Sequence, residues 1–232
     1  MAQPVAIVTG AGRGIGRAAA IELAGRGYRM ALVSRTAGEL SQTASLCGGG
    51  EILPGDVGDA GRVQQIVEQV LAKLGRVDAL VHCAGAVFMR SVDELTLQEW
   101  RQTIDTNLGA VFYFCRRLWP VWRRQRGGVV VNVSSYAARD PFEGLGAYGA
   151  AKAGVNLLSL ALAREGEAIH VRVHTVAPAA TETAMLRTLF TPEQYPTQRT
   201  LEPVQVARVI AQCVCGELAC TSGEVIYVHK TI

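Results

Sequence analysis

The chain has 232 residues, of which 49% are hydrophobic and 19% charged, with a formal net charge of +3. Such a length and apolar content suit one globular domain with a sizeable core, or at most two small ones. The near balance of charge gives no argument for a nucleic-acid partner, and no apolar run approaches the roughly 18 residues that a membrane span requires.

In chain order, Val5 to Thr9 reads as a buried strand and Gly14 to Gly27 as a helix. Arg29 to Ser34 is a second strand and Thr36 to Cys47 a helix that Gly48-Gly49-Gly50 ends. Glu51 to Leu53 is a third strand. Val63, Ile66, Val67, Val70, Leu71 and Leu74 recur at helical spacing, and Asp78 to Cys83 is a fourth strand. A long helical region carrying Trp100, Ile104, Leu108, Phe112, Leu118 and Trp122 follows, with a break predicted at Gly109 and a kink at Pro120. Val129 to Val133 is a fifth strand, Ala147 to about Glu165 a helix, and Ile169 to Val176 a sixth strand. Met185 to Pro203 is polar and irregular; Val204 to Cys215 is a helix and Glu224 to Val228 a last strand. Continuous apolar strands alternating with helices predict an α/β fold: one doubly wound Rossmann-type domain over residues 1–232, with a seven-stranded parallel sheet and helices on both faces. Ligands of such sheets bind beyond the carboxyl ends of the strands, here after Thr9, Ser34, Cys83, Val133 and Val176.

Met1-Ala2-Gln3-Pro4 runs straight into the first strand, so no signal peptide is expected. The six cysteines, Cys47, Cys83, Cys115, Cys213, Cys215 and Cys220, match no Cys-x-x-Cys metal spacing and read as small core residues of a reducing, cytoplasmic protein. His170 and His174 fall in a predicted strand, where four residues span roughly 13 Å, too far for one metal ion. No metal site is expected.

Thr9-Gly10-Ala11-Gly12-Arg13-Gly14-Ile15-Gly16 lies between a strand and a helix. Gly10 permits the tight turn, Gly14 lets the backbone approach a pyrophosphate, and Gly16 permits close helix packing, while the helix N-terminus offers free N–H groups to phosphate. In that context the turn predicts dinucleotide binding. An NAD site usually has an acid at the end of the second strand; here Ser34, Arg35 and Thr36 stand there. Arg35, with Arg13 in the neighbouring turn, suits a 2′-phosphate, so NADP(H) is expected over NAD(H).

Tyr148 and Lys152 are four apart, hence on one helical face, and Ser135 lies thirteen residues upstream of Tyr148. An ammonium beside a phenol favours phenolate and lowers its pKa, and a hydroxyl able to exchange a proton suits carbonyl–alcohol chemistry. Alone, the pair is better explained by packing and solvation, because short motifs recur by chance.

The ordered set of motifs removes that objection. From Val5 to about Val228 the chain resembles the short-chain dehydrogenase/reductase family, closest in appearance to 3-oxoacyl-[acyl-carrier-protein] reductases. The resemblance rests on the Thr9–Gly16 turn, Asp56-Val57 after strand three, and His82-Cys83-Ala84-Gly85 where the family usually has Asn-Asn-Ala-Gly. It also rests on Asn107, Ser135, Tyr148-x-x-x-Lys152 and the Pro178-Ala179-Ala180-Thr181-Glu182-Thr183 segment. It implies Tyr148 as general acid in reduction, Lys152 lowering its pKa and holding the nicotinamide ribose, Ser135 binding the substrate oxygen, and Asn107 positioning a relay water. Gly10, Gly12, Arg13, Gly14, Ile15, Gly16, Ser34, Arg35, Asp56, Val57, Cys83, Ala84, Gly85, Pro178, Thr181 and Thr183 would contact cofactor, as would Tyr148 and Lys152, and Val176 would meet the nicotinamide amide.

Three departures stand out: His82-Cys83 predicts a local rearrangement, Ala179 replaces a glycine, and the tail Val228-His229-Lys230-Thr231-Ile232 replaces Asp-Gly-Gly. Arg116, Arg117, Arg123, Arg124 and Arg126 read as a solvated helix end, or, through the resemblance, as a dock for acyl carrier protein. Arg139 to Gly146 and a short, proline-bearing lid at Met185 to Pro203 should line the substrate pocket. The expected activity is NADPH-dependent reduction of a ketone such as a 3-oxoacyl thioester, as in fatty acid biosynthesis. Oxidation of a secondary alcohol, sugar or polyol is the alternative, and a non-catalytic cofactor-binding protein stands further off. A homotetramer is expected, with a dimer next, and Val155, Leu158 and Leu162 could face a partner as readily as the core.

Overall fold

The computed structural model describes residues 3–230; the expectations that touch Met1, Ala2, Thr231 and Ile232 fall outside them. Seven strands form one sheet: β1 (Val5–Thr9), β2 (Arg29–Ser34), β3 (Glu51–Pro54), β4 (Ala79–His82), β5 (Gly128–Val133), β6 (Val171–Pro178) and β7 (Val225–Val228). All pair in parallel, in the order β3-β2-β1-β4-β5-β6-β7. The winding direction reverses between β1 and β4, which opens the crevice where α/β sheets take ligands.

Eight helices flank the sheet: α1 (Gly14–Gly25), α2 (Ala37–Leu46), α3 (Ala60–Leu74), α4 (Leu97–Ile104), α5 (Ala110–Gln125), α6 (Gly146–Gly166), α7 (Ala184–Leu189) and α8 (Pro203–Cys215). Successive strand residues serve opposite faces. Ile7, Val33, Leu80 and Val130 pack with Ile66 of α3, Phe114 of α5 and Val155 of α6. Val8, Leu32, Val81 and Val131 pack with Leu23 of α1, Leu40 of α2 and Ile210 of α8. The doubly wound fold is therefore as expected. Local chemistry sets the helix ends: the Asp59 carboxylate accepts from the N–H groups of Gly61 and Arg62, and Gly75, at φ +78°, ends α3. No helix among the described residues is long and apolar enough to cross a membrane.

Four expectations are corrected. The β6 strand ends two residues later than predicted, at Pro178, so Val176 is buried mid-strand rather than at the strand's end. His170 lies outside that strand, exposed in the left-handed region at φ +56°, while His174 is buried with Nδ1 3.0 Å from Thr221 Oγ1. Gly109 does not break the long helix; α4 and α5 run on through a π-helical turn, Asp105–Gly109, whose wider spiral accommodates it. On α6, Val155 and Leu162 are buried in the core and Leu158 packs against it, because the helical period turns Leu157 outward instead, 71% exposed.

Candidate active site

A cleft of about 310 Å³ crosses the carboxyl ends of β1, β2 and β4. The turn residues Gly10, Gly12, Arg13, Gly14, Ile15 and Gly16 line it, as do Ser34, Arg35, Asp56, Val57, Cys83, Ala84, Gly85 and Thr183. The residues expected to contact cofactor at these strand ends are thus brought together. Backbone sterics explain the glycines: a β-carbon on Gly10, at φ +65°, would lie 2.8 Å from Ala84 N, and one on Gly16 would collide with the Gly10 carbonyl. On Gly14 it would meet the Thr183 side chain at 3.2 Å across the cleft. This bare backbone at a helix N-terminus is the surface that a pyrophosphate needs, and the buried Ser34 Oγ has no hydrogen-bond partner. The cleft therefore fits a dinucleotide. A larger open groove, about 860 Å³, lies at the opposite end of the sheet beside Pro4, Asp78 and Gly128 and touches none of the predicted site residues.

Several contributors escaped the sequence reading. Arg17 on α1 donates to the Gly12 carbonyl and, through Nε at 3.0 Å, to Thr43 Oγ1, which itself donates to the Ala11 carbonyl at 2.9 Å. This brace ties the glycine turn to α2. Thr36, Glu39, Gly55, Ala86, Thr106 and Met185 also line the cleft; their positions follow from how α2 and the loops dock, which no local motif encodes.

Where a local rearrangement is expected, His82 keeps parallel register with both Thr9 and Asn132. The imidazole supplies its own anchor. Thr9 Oγ1 accepts from Ala84 N at 3.1 Å and is 2.9 Å from His82 Nδ1. With that hydroxyl donating to Nδ1, the ring proton sits on Nε2, which is buried without a partner at hydrogen-bond distance although the Thr106 backbone lies close enough to favour a charged ring. Burial, with the Lys152 charge, pulls the His82 pKa down to about 3.

A second pocket of about 600 Å³ adjoins the cleft and shares Ile15, Cys83, Gly85, Thr183 and Met185 with it. Ser135, Tyr148, Lys152, Pro178 and Thr181 line this pocket. Ser135 follows β5 in an extended conformation, and its Oγ accepts from Ala137 N at 3.1 Å. Tyr148 and Lys152 share a face of α6, with the ammonium 5.6 Å from the centre of the phenol ring. Lys152 is 4% exposed, and its Nζ donates to the Val133 carbonyl at 2.8 Å. Burial pulls the ammonium down to about 8. The phenol is not made more acidic as expected: burial pushes Tyr148 above its ordinary value, with the Ser135 hydroxyl acting in the opposite direction. Desolvation of the phenolate outweighs an ammonium that lies over the ring face and is turned to the Val133 carbonyl.

Asn107 lines neither space. It is fully buried in the π-helical turn, where Nδ2 donates to the carbonyls of Ala86 at 2.7 Å and Thr103 at 2.8 Å. Its Oδ1 has no partner and backs onto Gly85, 3.0 Å from where a β-carbon there would lie. The two segments singled out for substrate meet over the pocket: Pro141, Phe142 and Leu145 from one, Met185, Leu186, Leu189, Phe190 and Tyr195 from the other. Phe142 and Phe190 pack at a 60° tilt with ring centres 5.4 Å apart, and Arg187 binds Glu182 and, at 2.8 Å, the Tyr195 carbonyl, which holds the lid together.

A parallel doubly wound sheet, a glycine-turn cleft and an adjoining pocket that holds hydroxyls and a buried amine define a nucleotide-binding α/β protein. Residues 4–194 match the family model described as short chain dehydrogenase, and the chain belongs to that family, an oxidoreductase family that binds NAD(P). It is 36% identical over 192 residues to the 2,3-dihydro-2,3-dihydroxybenzoate dehydrogenase of Escherichia coli (strain K12), covering 83% of this chain and 75% of that protein. It is 33% identical to the 3-oxoacyl-[acyl-carrier-protein] reductase FabG of the same strain, over 97% of this chain and 95% of that one. The D-threitol dehydrogenase of Mycolicibacterium smegmatis (strain ATCC 700084 / mc(2)155) is 37% identical over 78% of this chain and 71% of its own. Among solved structures, gox2181 superposes with a TM-score of 0.92 at 28% identity, over 98% of this chain and 95% of that one.

Proposed function

We propose that the protein is an NADPH-dependent carbonyl reductase whose substrate is a ketone such as a 3-oxoacyl thioester. The observation that carries this reading is that Ser135, Tyr148 and Lys152 open onto one largely apolar pocket continuous with the dinucleotide cleft. When bound, the nicotinamide supplies the hydride. The turn from Gly10 to Gly16 would hold the pyrophosphate, Asp56 and Val57 the adenine, and Lys152, with Pro178, Thr181 and Thr183, the nicotinamide half. Arg13 and Arg35, both exposed at the cleft, would pair with the 2′-phosphate and favour NADP(H).

Tyr148 Oη donates its proton to the carbonyl oxygen as it becomes an alcohol, and the Ser135 hydroxyl donates a hydrogen bond to the same oxygen. Burial keeps Tyr148 protonated, the form that reduction requires. Lys152, whose Nζ donates to the Val133 carbonyl at 2.8 Å, would hold the ribose hydroxyls and resupply the proton of Tyr148, and Asn107 would order a water behind it. The apolar walls exclude bulk water. The chain works as one domain, residues 1–232, with a small lid over 185–203, in a cytoplasmic dimer or tetramer built on Trp100, Phe112 and Leu157, 43%, 47% and 71% exposed. Arg116 and Arg117 midway along α5, and Arg123, Arg124 and Arg126 at its end, are all exposed and would dock an acyl carrier protein.

Likeness to a D-threitol dehydrogenase supports a second reading, oxidation of a sugar or polyol. Consumption of NADPH and NADH against 3-oxoacyl thioesters, diketones, quinones and sugars, with NADP⁺ and NAD⁺ reduction on polyols, separates the two. Turnover of thioesters with NADPH is expected. Turnover confined to polyols would replace the first reading by the second, and a clear NADH preference would sink the cofactor assignment.

A further inference from the structure

The adenosine end of the cleft holds a carboxylate that the strand-end sequence does not reveal. Glu39 stands in the first turn of α2 and lines the same cleft as Arg13, Ser34 and Arg35. Gly12 marks its place: a β-carbon built there would lie 2.7 Å from Glu39 Oε2 and 3.0 Å from Ser34 Oγ. The acid and the hydroxyl therefore share one small space above the glycine turn, open only because residue 12 has no side chain. Neither side chain is paired among the described residues. Ser34 Oγ is buried and unpartnered, and Glu39 makes no ion pair among the described residues, although two arginines line the cleft. The Glu39 backbone is fixed in the first turn of α2, where its carbonyl faces Arg17 Nη2 at 3.5 Å.

We propose that Glu39, assisted by Ser34, is a specificity-determining residue that binds the adenosine ribose hydroxyls and so retains NAD(H) binding in a cleft otherwise suited to NADP(H). The inference rests on the reading of Arg13 and Arg35 as 2′-phosphate ligands. A carboxylate accepts hydrogen bonds from ribose hydroxyls but has nothing to offer a phosphate, which only accepts and carries the same charge. Arg13 and Arg35 pull the preference one way and Glu39 the other. A first-turn acid also steadies its helix through the dipole, but that role alone does not discriminate between cofactors.

The test is the dissociation constant of NADPH and of NADH, by fluorescence titration, for wild type, Glu39→Gln and Arg35→Ala, with melting temperatures as the check on folding. Loss of one charge several ångströms from a phosphate, in a partly solvated cleft, should raise the NADPH-to-NADH affinity ratio about tenfold in Glu39→Gln. An unchanged ratio, or an equal loss of both affinities, overturns the proposal. Arg35→Ala reports separately on the underlying reading. If it spares NADPH affinity while Glu39→Gln still shifts the ratio, the 2′-phosphate assignment of Arg35 fails and the role of Glu39 stands.

Discussion

Lys152→Met should make the protein more stable at neutral pH while abolishing its chemistry. The ammonium is 4% exposed and has one protein hydrogen bond, to the Val133 carbonyl at 2.8 Å. Burial takes its pKa from 10.5 to about 8, which at about 1.36 kcal/mol per pKa unit means that the charge costs the fold about 3 kcal/mol near pH 7. Because the folded value lies below the unfolded one, the unfolded chain binds the extra proton between the two. Wild-type stability therefore rises with pH from about 8 to about 10.5 as the penalty fades. Methionine removes the charge but strands the carbonyl, a loss of about 1–2 kcal/mol. The net gain near pH 7 is then about 1–2 kcal/mol, or about 2–8 °C in melting temperature for a chain of this size. By pH 10 about 1 kcal/mol of the penalty remains, and the gain should vanish. Urea unfolding of both proteins at pH 7 and pH 10 measures this. A variant less stable at pH 7, or equally favoured at both values, refutes the argument.

Three further outcomes follow from the same geometry. His82 is held neutral with its pKa pulled down to about 3, below the unfolded value of 6.5. Its contribution is full above pH 6.5 and is lost as pH falls toward 3, so His82→Asn should shift acid unfolding, followed by circular dichroism, to lower pH. Arg17→Ala unties the glycine turn from α2 and should weaken NADPH binding by roughly three- to tenfold, the worth of about one hydrogen bond to a carbonyl, as read by fluorescence titration. Reversing charge at Arg124 and Arg126 should raise KM for a carrier-bound thioester and remove its salt sensitivity, leaving kcat on a free thioester unchanged; equal effects on both substrates would count against docking there.

Most of the architecture is legible in the sequence because strands and helices alternate in hydrophobic pattern, and alternation of that kind packs as a parallel sheet covered by helices. Tyr148 and Lys152 are legible by the helical period, and the glycine turn by steric need. What escaped lies where tertiary contacts decide. Nothing local tells that Arg17 reaches Gly12, or that Glu39 points over a turn more than twenty positions earlier. The π-helical turn at Asn107 looks like a glycine break in the sequence, since a one-residue widening leaves the apolar spacing almost intact. At Tyr148, spacing reveals a neighbouring charge but not the burial that outweighs it. At position 82, imidazole Nδ1 accepts the hydrogen bond that Thr9 offers, which residue type alone does not announce.

Tyr148→Phe tests the central claim most directly. The variant removes one hydroxyl and leaves the ring, α6 and the cleft in place. With NADPH binding followed by fluorescence and turnover by absorbance on whichever carbonyl the wild type reduces, the expected result is wild-type NADPH affinity with turnover lower by about 10²–10⁴-fold. Undiminished turnover would contradict the assignment of Tyr148 as the proton donor and, with it, the reading of the site.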